Sequence, residues 1–193
     1  MKIVIINYGA GNIQSIKFAI QRLGHDAILS NNIEEITTAD KVIFPGVGEA
    51  SSAMKMLRET GLDKVIPTLK QPVLGICLGM QLMCHSSEEG HTKGLSIFDV
   101  DVHRFSNDVK VPQIGWNQIA SLKTNLFEGI KDGEFIYLVH SYYAPLCPET
   151  IATTHYGLKY STALHKENFY GTQFHPEKSS KAGTQILKNF LEL

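Results

Sequence analysis

The sequence predicts a doubly wound α/β fold, with a mostly parallel sheet in flavodoxin-like layers and an antiparallel extension. Three observations carry this expectation. The stretch Lys2 to Asn7 is apolar without alternation, as in a parallel strand covered on both faces. Strand-like runs then alternate with turns and helical patterns as far as Met83. From about Ile97 the helical pattern gives way to short β-type segments separated by turns.

Taken in order, the first strand runs into the turn Tyr8-Gly9-Ala10-Gly11-Asn12. Ile13, Ile16, Phe18, Ala19, Ile20 and Leu23 then form a helical pattern closed by Gly24. Gly9 and Gly11 lack the third glycine of a dinucleotide fingerprint, and that reading is rejected. Ala27 to Leu29 is a second strand and Lys41 to Phe44 a third. Pro45-Gly46-Val47-Gly48 follows, then a helix through Ala53, Met54, Met56 and Leu57. A glycine-rich loop at the carboxyl end of a strand is either a tight turn or a ligand loop. Pro72 to Cys77 is a fourth strand, and Met80, Leu82 and Met83 continue as helix. Segments 100–105, 116–119, 135–139, 151–154, 161–164 and 169–174 are assigned to the antiparallel extension, and a helix from about Lys181 to Leu191 closes the chain.

With 193 residues and no linker, repeat or low-complexity tract, residues 1–193 are expected to form a single domain. A formal charge of -1 with no basic block argues against nucleic-acid or membrane-surface binding. No apolar run approaches bilayer length, and the apolar N-terminus is too short for a secretory signal. Cys77, Cys84 and Cys147 show neither disulfide nor metal spacing, which points to free thiols in a reducing, cytoplasmic setting. No metal or cofactor is expected.

The chemistry gathers at Gly75-Ile76-Cys77-Leu78-Gly79. A strand that stops at a sharp turn and reverses into a helix leaves its apex side chain exposed above the sheet, as in the Gly-x-Ser-x-Gly device of serine hydrolases. Flanking glycines let strand and helix backbones pass closely. At such an apex a thiol gains from the helix dipole, and the Leu78 N–H faces an oxyanion formed beside it. A lone Cys in an apolar run is usually a small buried hydrophobe. The second motif, Phe174-His175-Pro176-Glu177, shifts that balance. Proline holds His175 extended, and residues i and i+2 then share a side, so Glu177 can reach the imidazole. Nucleophile, base and orienter are all present.

These two motifs resemble the class I glutamine amidotransferases, whose triad is Cys, His and Glu on an α/β sheet. Pro45-Gly46-Val47-Gly48, Ser87-Glu88-Glu89-Gly90, Gly115-Trp116-Asn117, His140-Ser141-Tyr142 and the Lys178-Ser179 continuation narrow the likeness to the glutaminase subunits of imidazole glycerol phosphate synthase. The match runs from Asn7 to the C-terminal helix. It implies hydrolysis of L-glutamine to glutamate and ammonia by Cys77, His175 and Glu177, with an oxyanion hole at Val47, Gly48 and Leu78. It implies glutamine binding by Gly48, Gln81, Glu89, Ser141 and Tyr142. A heterodimer with the cyclase subunit is implied too, contacted through Asn12, Trp116 and Lys181 within a rim that includes residues 178–181. Glutaminase activity is then expected to be low alone and to rise with the partner. Other amidotransferase subunits, and a non-catalytic relative keeping the fold as a binding module, are competing readings. The intact triad weighs against the second. Trp116 would otherwise be a core or edge anchor, and Glu88 and Glu89 a solvated acidic loop. His140 lacks a following carboxylate and ranks below His175 as a base. Cys84, placed in the helix after Cys77, is expected to be packed, and Cys147 has no argued role.

Overall fold

The computed structural model describes residues 1–9 and 13–193. The predicted Asn12 contact therefore lies outside the described residues. In chain order the elements are β1 (Ile3–Ile6), α1 (Ile13–Arg22), β2 (Ala27–Ser30), α2 (Ile33–Thr37), β3 (Lys41–Gly46), α3 (Ala50–Thr60) and α4 (Leu62–Val65). β4 (Val73–Cys77), α5 (Leu78–Met83), β5 (Cys84–Ser87), β6 (Thr92–Lys93), β7 (Phe98–Arg104), β8 (Gln113–Gln118) and β9 (Phe135–His140) follow. The chain ends with β10 (Tyr142–Tyr143), β11 (Thr150–Tyr156), β12 (Leu158–Lys166), β13 (Phe169–Thr172) and α6 (Ser180–Glu192).

Among the described residues the main sheet has the order β11-β12-β13-β4-β3-β1-β2. The five strands from β13 to β2 are parallel, and β12 and β11 extend them antiparallel. The unbroken apolar runs follow from burial on both faces. Val4, Ile6, Val42 and Phe44 face one apolar layer with Ile36, Met54 and Leu57. Ile3, Ile5, Ile43 and Ile76 face the other, with Ile16, Ile20, Ile186 and Phe190. At roughly 25 cal/mol per Å² of apolar area removed from water, these two layers are the main stabilising term.

The antiparallel extension is present, but it is built from β11 and β12 alone. Residues 100–104 belong instead to a separate sheet of order β10-β7-β5-β6, and residues 116–118 and 135–139 to the two-stranded β8–β9 ladder. β13 pairs parallel with β4 on one side and antiparallel with β12 on the other. Two smaller differences have local causes. Phe18 sits off the α1 stripe, since Ile16, Ala19 and Ile20 already fill the face toward the sheet, and it is 55% exposed. Helix α5 stops at Met83, so Cys84 opens β5 rather than lying in the helix, though it is fully buried. The short α2 is capped by Asn32, whose side-chain oxygen accepts the Glu35 N–H at 3.1 Å, and it is too brief to show a period. Among the described residues no helix is long and apolar enough to cross a membrane.

Candidate active site

Strands β3, β4 and β13 bring their carboxyl ends together, and the site is built there. Cys77 ends β4 with φ 55° and ψ -112°, a conformation that costs a non-glycine residue on the order of 1–3 kcal/mol. The surroundings hold it there. A Cβ on Gly79 would run into the Phe44 carbonyl oxygen, so α5 leaves the apex pressed against β3. Cys77 is only 8% exposed, and its sulfur lies 3.8 Å from the Val139 carbonyl oxygen.

His175 follows β13 with an extended backbone (φ -95°, ψ 97°), as the next residue, Pro176, requires. Pro176 to Lys178 then form one turn of 3-10 helix. The His175 Nδ1 and Glu177 Oε1 are 2.8 Å apart, and the Glu177 side chain is fully buried. Ser179 clamps this turn by donating its hydroxyl to the His175 carbonyl at 2.7 Å. Burial works against a charged His175 ring. Hydrogen bonds to Cys77 and Glu177, together with their charges, outweigh it and push the imidazole up to about 10. These contacts favour the protonated ring.

A cavity of about 380 Å³ opens over this pair, lined by Val47, Gly48, Cys77, Leu78, Gln81, Glu89, Pro112, Val139, His140, Ser141, Tyr142, His175 and Lys178. Its size suits a small molecule. Thus the predicted oxyanion-hole residues Val47, Gly48 and Leu78 and the predicted glutamine-binding residues Gly48, Gln81, Glu89, Ser141 and Tyr142 share one cavity with Cys77 and His175 of the predicted triad. The Pro45–Gly48 loop is supported from below by Tyr8, whose buried hydroxyl donates to the Pro45 carbonyl at 3.0 Å. Glu89 is half-buried, and its Oε2 accepts the Ala50 N–H at 2.9 Å; burial nonetheless raises its carboxyl pKa. Its neighbour Glu88 turns away to His103 and the Arg104 N–H, so the acidic pair is split between cavity and surface.

His140 is no rival base. Burial pulls its pKa down to about 4, its Nδ1 is 2.7 Å from the Tyr142 carbonyl, and its Nε2 is 3.2 Å from the Tyr160 hydroxyl. Cys84 is buried, and burial pushes its thiol far up. Cys147 is half-buried beside the Thr150 hydroxyl. Among the described residues no group of three His, Cys, Asp or Glu side chains could hold a metal.

The predicted contact residues separate. Trp116 stands 52% exposed on the outer face of the β8–β9 ladder, packed edge-on to Tyr137 at 5.9 Å. Lys178, in the predicted rim, lines the cavity over Cys77 and His175, with its Nζ 6.0 Å from the Tyr137 ring centroid. Lys181 lines a different cavity, with Arg22 and Glu177.

The model of the family described as glutamine amidotransferase class-I matches residues 4–193. The chain belongs to the class I glutamine amidotransferase family. Among amidotransferases it is 56% identical over 196 residues to the imidazole glycerol phosphate synthase subunit HisH of Bacteroides fragilis strain YCH46, with all of both chains covered. The subunit of the same name from Yersinia pseudotuberculosis is 46% identical, again over the full length of both. Within the amidotransferases the chain therefore belongs with the HisH subunits. In fold it is similar to a putative GMP synthase subunit from Thermoplasma acidophilum, with a TM-score of 0.78 and 21% identity over 100% of this chain and 92% of that one.

Sequence reasoning missed two atoms at this amidotransferase site. The Gln173 side-chain amide is 3.8 Å from the Cys77 sulfur, and the Val139 carbonyl faces the same atom. Gln173 carried a usable signal, because in an extended segment it shares a side with His175. Val139 carried none, since strand pairing alone brings its carbonyl there.

Proposed function

We propose that Cys77, His175 and Glu177 carry out the glutaminase reaction of this amidotransferase, supplying ammonia to a cyclase subunit of imidazole glycerol phosphate synthase in histidine biosynthesis. The observation that carries the residue roles is the 2.8 Å bond from the His175 Nδ1 to the fully buried Glu177 side chain, on a ring that shares its cavity with the elbow cysteine. Glu177 holds the imidazole with Nε2 toward the sulfur and offsets the imidazolium charge. His175 takes the thiol proton, and the thiolate attacks the side-chain carboxamide carbon of glutamine. The carbonyl oxygen becomes an oxyanion beside the Leu78 N–H and the Val47–Gly48 backbone. As the tetrahedral intermediate collapses, the C–N bond breaks and His175 returns its proton, so ammonia leaves and a γ-glutamyl thioester remains. Water then adds to the thioester carbon, giving its proton to His175. The C–S bond breaks, glutamate leaves, and the thiol is restored. Glu89, whose carboxylate lines the cavity, pairs with the substrate ammonium, and Gln81 with the Ser141–Tyr142 backbone complete the grip.

The docking face in this reading is the outer side of β8–β9, where Ile114, Trp116 and Phe135 are more than half exposed beside Tyr137 and Val139. A contiguous apolar face beside the cavity mouth suits a protein partner. Lys178 at its edge replaces Lys181 as the proposed charged contact. The test compares glutamine and ammonium salts as nitrogen sources for the assembled complex. Cys77→Ser is expected to abolish glutamine-dependent turnover while leaving ammonia-dependent turnover intact. Loss of both, with assembly preserved, contradicts the division of labour.

A further inference from the structure

We propose that Gln173 is a further catalytic group of this site, its side-chain N–H supporting the Cys77 thiolate while its side-chain oxygen fixes the orientation of Gln81. The proposal rests on the reading of Cys77 as nucleophile. Gln173 is fully buried, and a buried amide left unpaired is costly, so the direction of each of its bonds is informative.

The direction is set from a point that cannot flip. The Tyr142 backbone carbonyl only accepts, and it is approached by the Gln81 Nε2 at 3.0 Å and the His140 Nδ1 at 2.7 Å. Gln81 must therefore present its NH2 group to that carbonyl. The same nitrogen lies 2.8 Å from the Gln173 Oε1. An amide nitrogen has two N–H bonds, so both of those on Gln81 are occupied, and its own oxygen is left for the cavity it lines. Turning Gln81 over would set its oxygen against the Tyr142 carbonyl oxygen. With Gln173 accepting from Gln81, the Gln173 NH2 is directed away from Gln81, 3.8 Å from the Cys77 sulfur. A chain of directed bonds thus runs from the Tyr142 carbonyl through two amides to the nucleophile.

At the sulfur, two neighbours pull in opposite directions. The Val139 carbonyl, also at 3.8 Å, accepts from the S–H and favours the thiol. The Gln173 N–H donates to sulfur and favours the thiolate. Without Gln173 one of the groups that oppose the carbonyl is lost. One side chain therefore tunes the nucleophile and, through Gln81, the hold on substrate.

Two substitutions separate these roles. Gln173→Met keeps length and apolar volume but removes both bonds. Gln173→Glu keeps an oxygen for Gln81, removes the N–H donor and adds negative charge beside the sulfur. The measurement is the pH dependence of iodoacetamide alkylation of the full chain, followed at the Cys77 peptide by mass spectrometry, with KM for glutamine measured on the assembled complex. The alkylation midpoint is expected to rise by about one pH unit in Gln173→Met and by more in Gln173→Glu. KM is expected to rise several-fold in Gln173→Met and to stay within about twofold of the parent in Gln173→Glu. Ammonia-dependent turnover by each complex reports that it has assembled, and the Glu variant carries the thiolate test if the Met variant does not fold. Midpoints equal to the parent's in the variants overturn the proposal and leave Gln173 as a core amide. If the parent complex keeps its glutamine turnover after Cys77 is alkylated, the reading of Cys77 as nucleophile fails instead.

Discussion

In the proposed reaction the His175 ring carries two demands, because it would take a proton from sulfur and return it to departing ammonia. Glu177 and Cys77 together raise its pKa to about 10 against the effect of burial. Replacing Glu177 by Gln removes the charge, so the His175 pKa falls and the alkaline limb of glutamine turnover moves to lower pH. The loss of kcat is expected to be about 10²-fold, against about 10⁴-fold for His175→Asn. Steady-state rates across pH check this, and equal losses with an unmoved limb would contradict it. His140 gives the opposite sign. Its folded pKa, about 4, lies below the ordinary value of 6.5, so the unfolded chain binds the extra proton first. Stability held above pH 6.5 is lost as pH falls toward 4. The drop in melting temperature between about pH 7 and about pH 5 is expected to shrink in His140→Gln. The apex at Cys77 and the His175–Glu177 bond were legible from sequence because each motif couples a chemical group to a backbone event, an apex or a proline. The Gln173 bond to sulfur was less so, since it needs the register of β13 on β4 and the turn of Gln81.

Among the elements, α5 decides whether there is an elbow at all. Its first turn lies so close to β3 that Gly79 has no room for a Cβ against the Phe44 carbonyl, and that obstacle is backbone. Gly79→Ala is expected to cost on the order of 3 kcal/mol and to remove glutamine turnover in whatever protein remains folded, read by thermal melting and activity. A melting point within a degree or two of the parent's would show that α5 can shift freely. The parallel strands were legible because burial on both faces leaves continuous apolar runs such as Ile3–Ile6. The small sheets were not. Ser86–Ser87 in β5 is polar and pairs parallel with β7, beyond β6 in the chain, and β8 pairs with β9 rather than joining the main sheet. Such partners are chosen by tertiary packing, which a local pattern does not record.

Across the whole molecule, the β8–β9 ladder joins surface to chemistry. Its inner side chains Ile136 and Leu138 pack in the core, while its backbone reaches His175 and Cys77. The Tyr137 carbonyl accepts the His175 N–H at 3.0 Å, and the Val139 carbonyl lies beside the Cys77 sulfur. A partner seated on the exposed Trp116 face would therefore press on β9, the strand whose carbonyls lie against His175 and Cys77. Trp116→Asp is expected to weaken association with the cyclase partner by about 10- to 100-fold, measured by calorimetry. Undiminished affinity would move the interface elsewhere. In the proposed reaction glutamine is cleaved through a covalent bond to Cys77. Its most direct test is acid-quenching the assembled complex during turnover with isotope-labelled glutamine and mapping the label by mass spectrometry. A γ-glutamyl group on the Cys77 peptide, absent in Cys77→Ser, is the predicted result; steady glutamate release with the label on another residue, or persisting in Cys77→Ser, would contradict it.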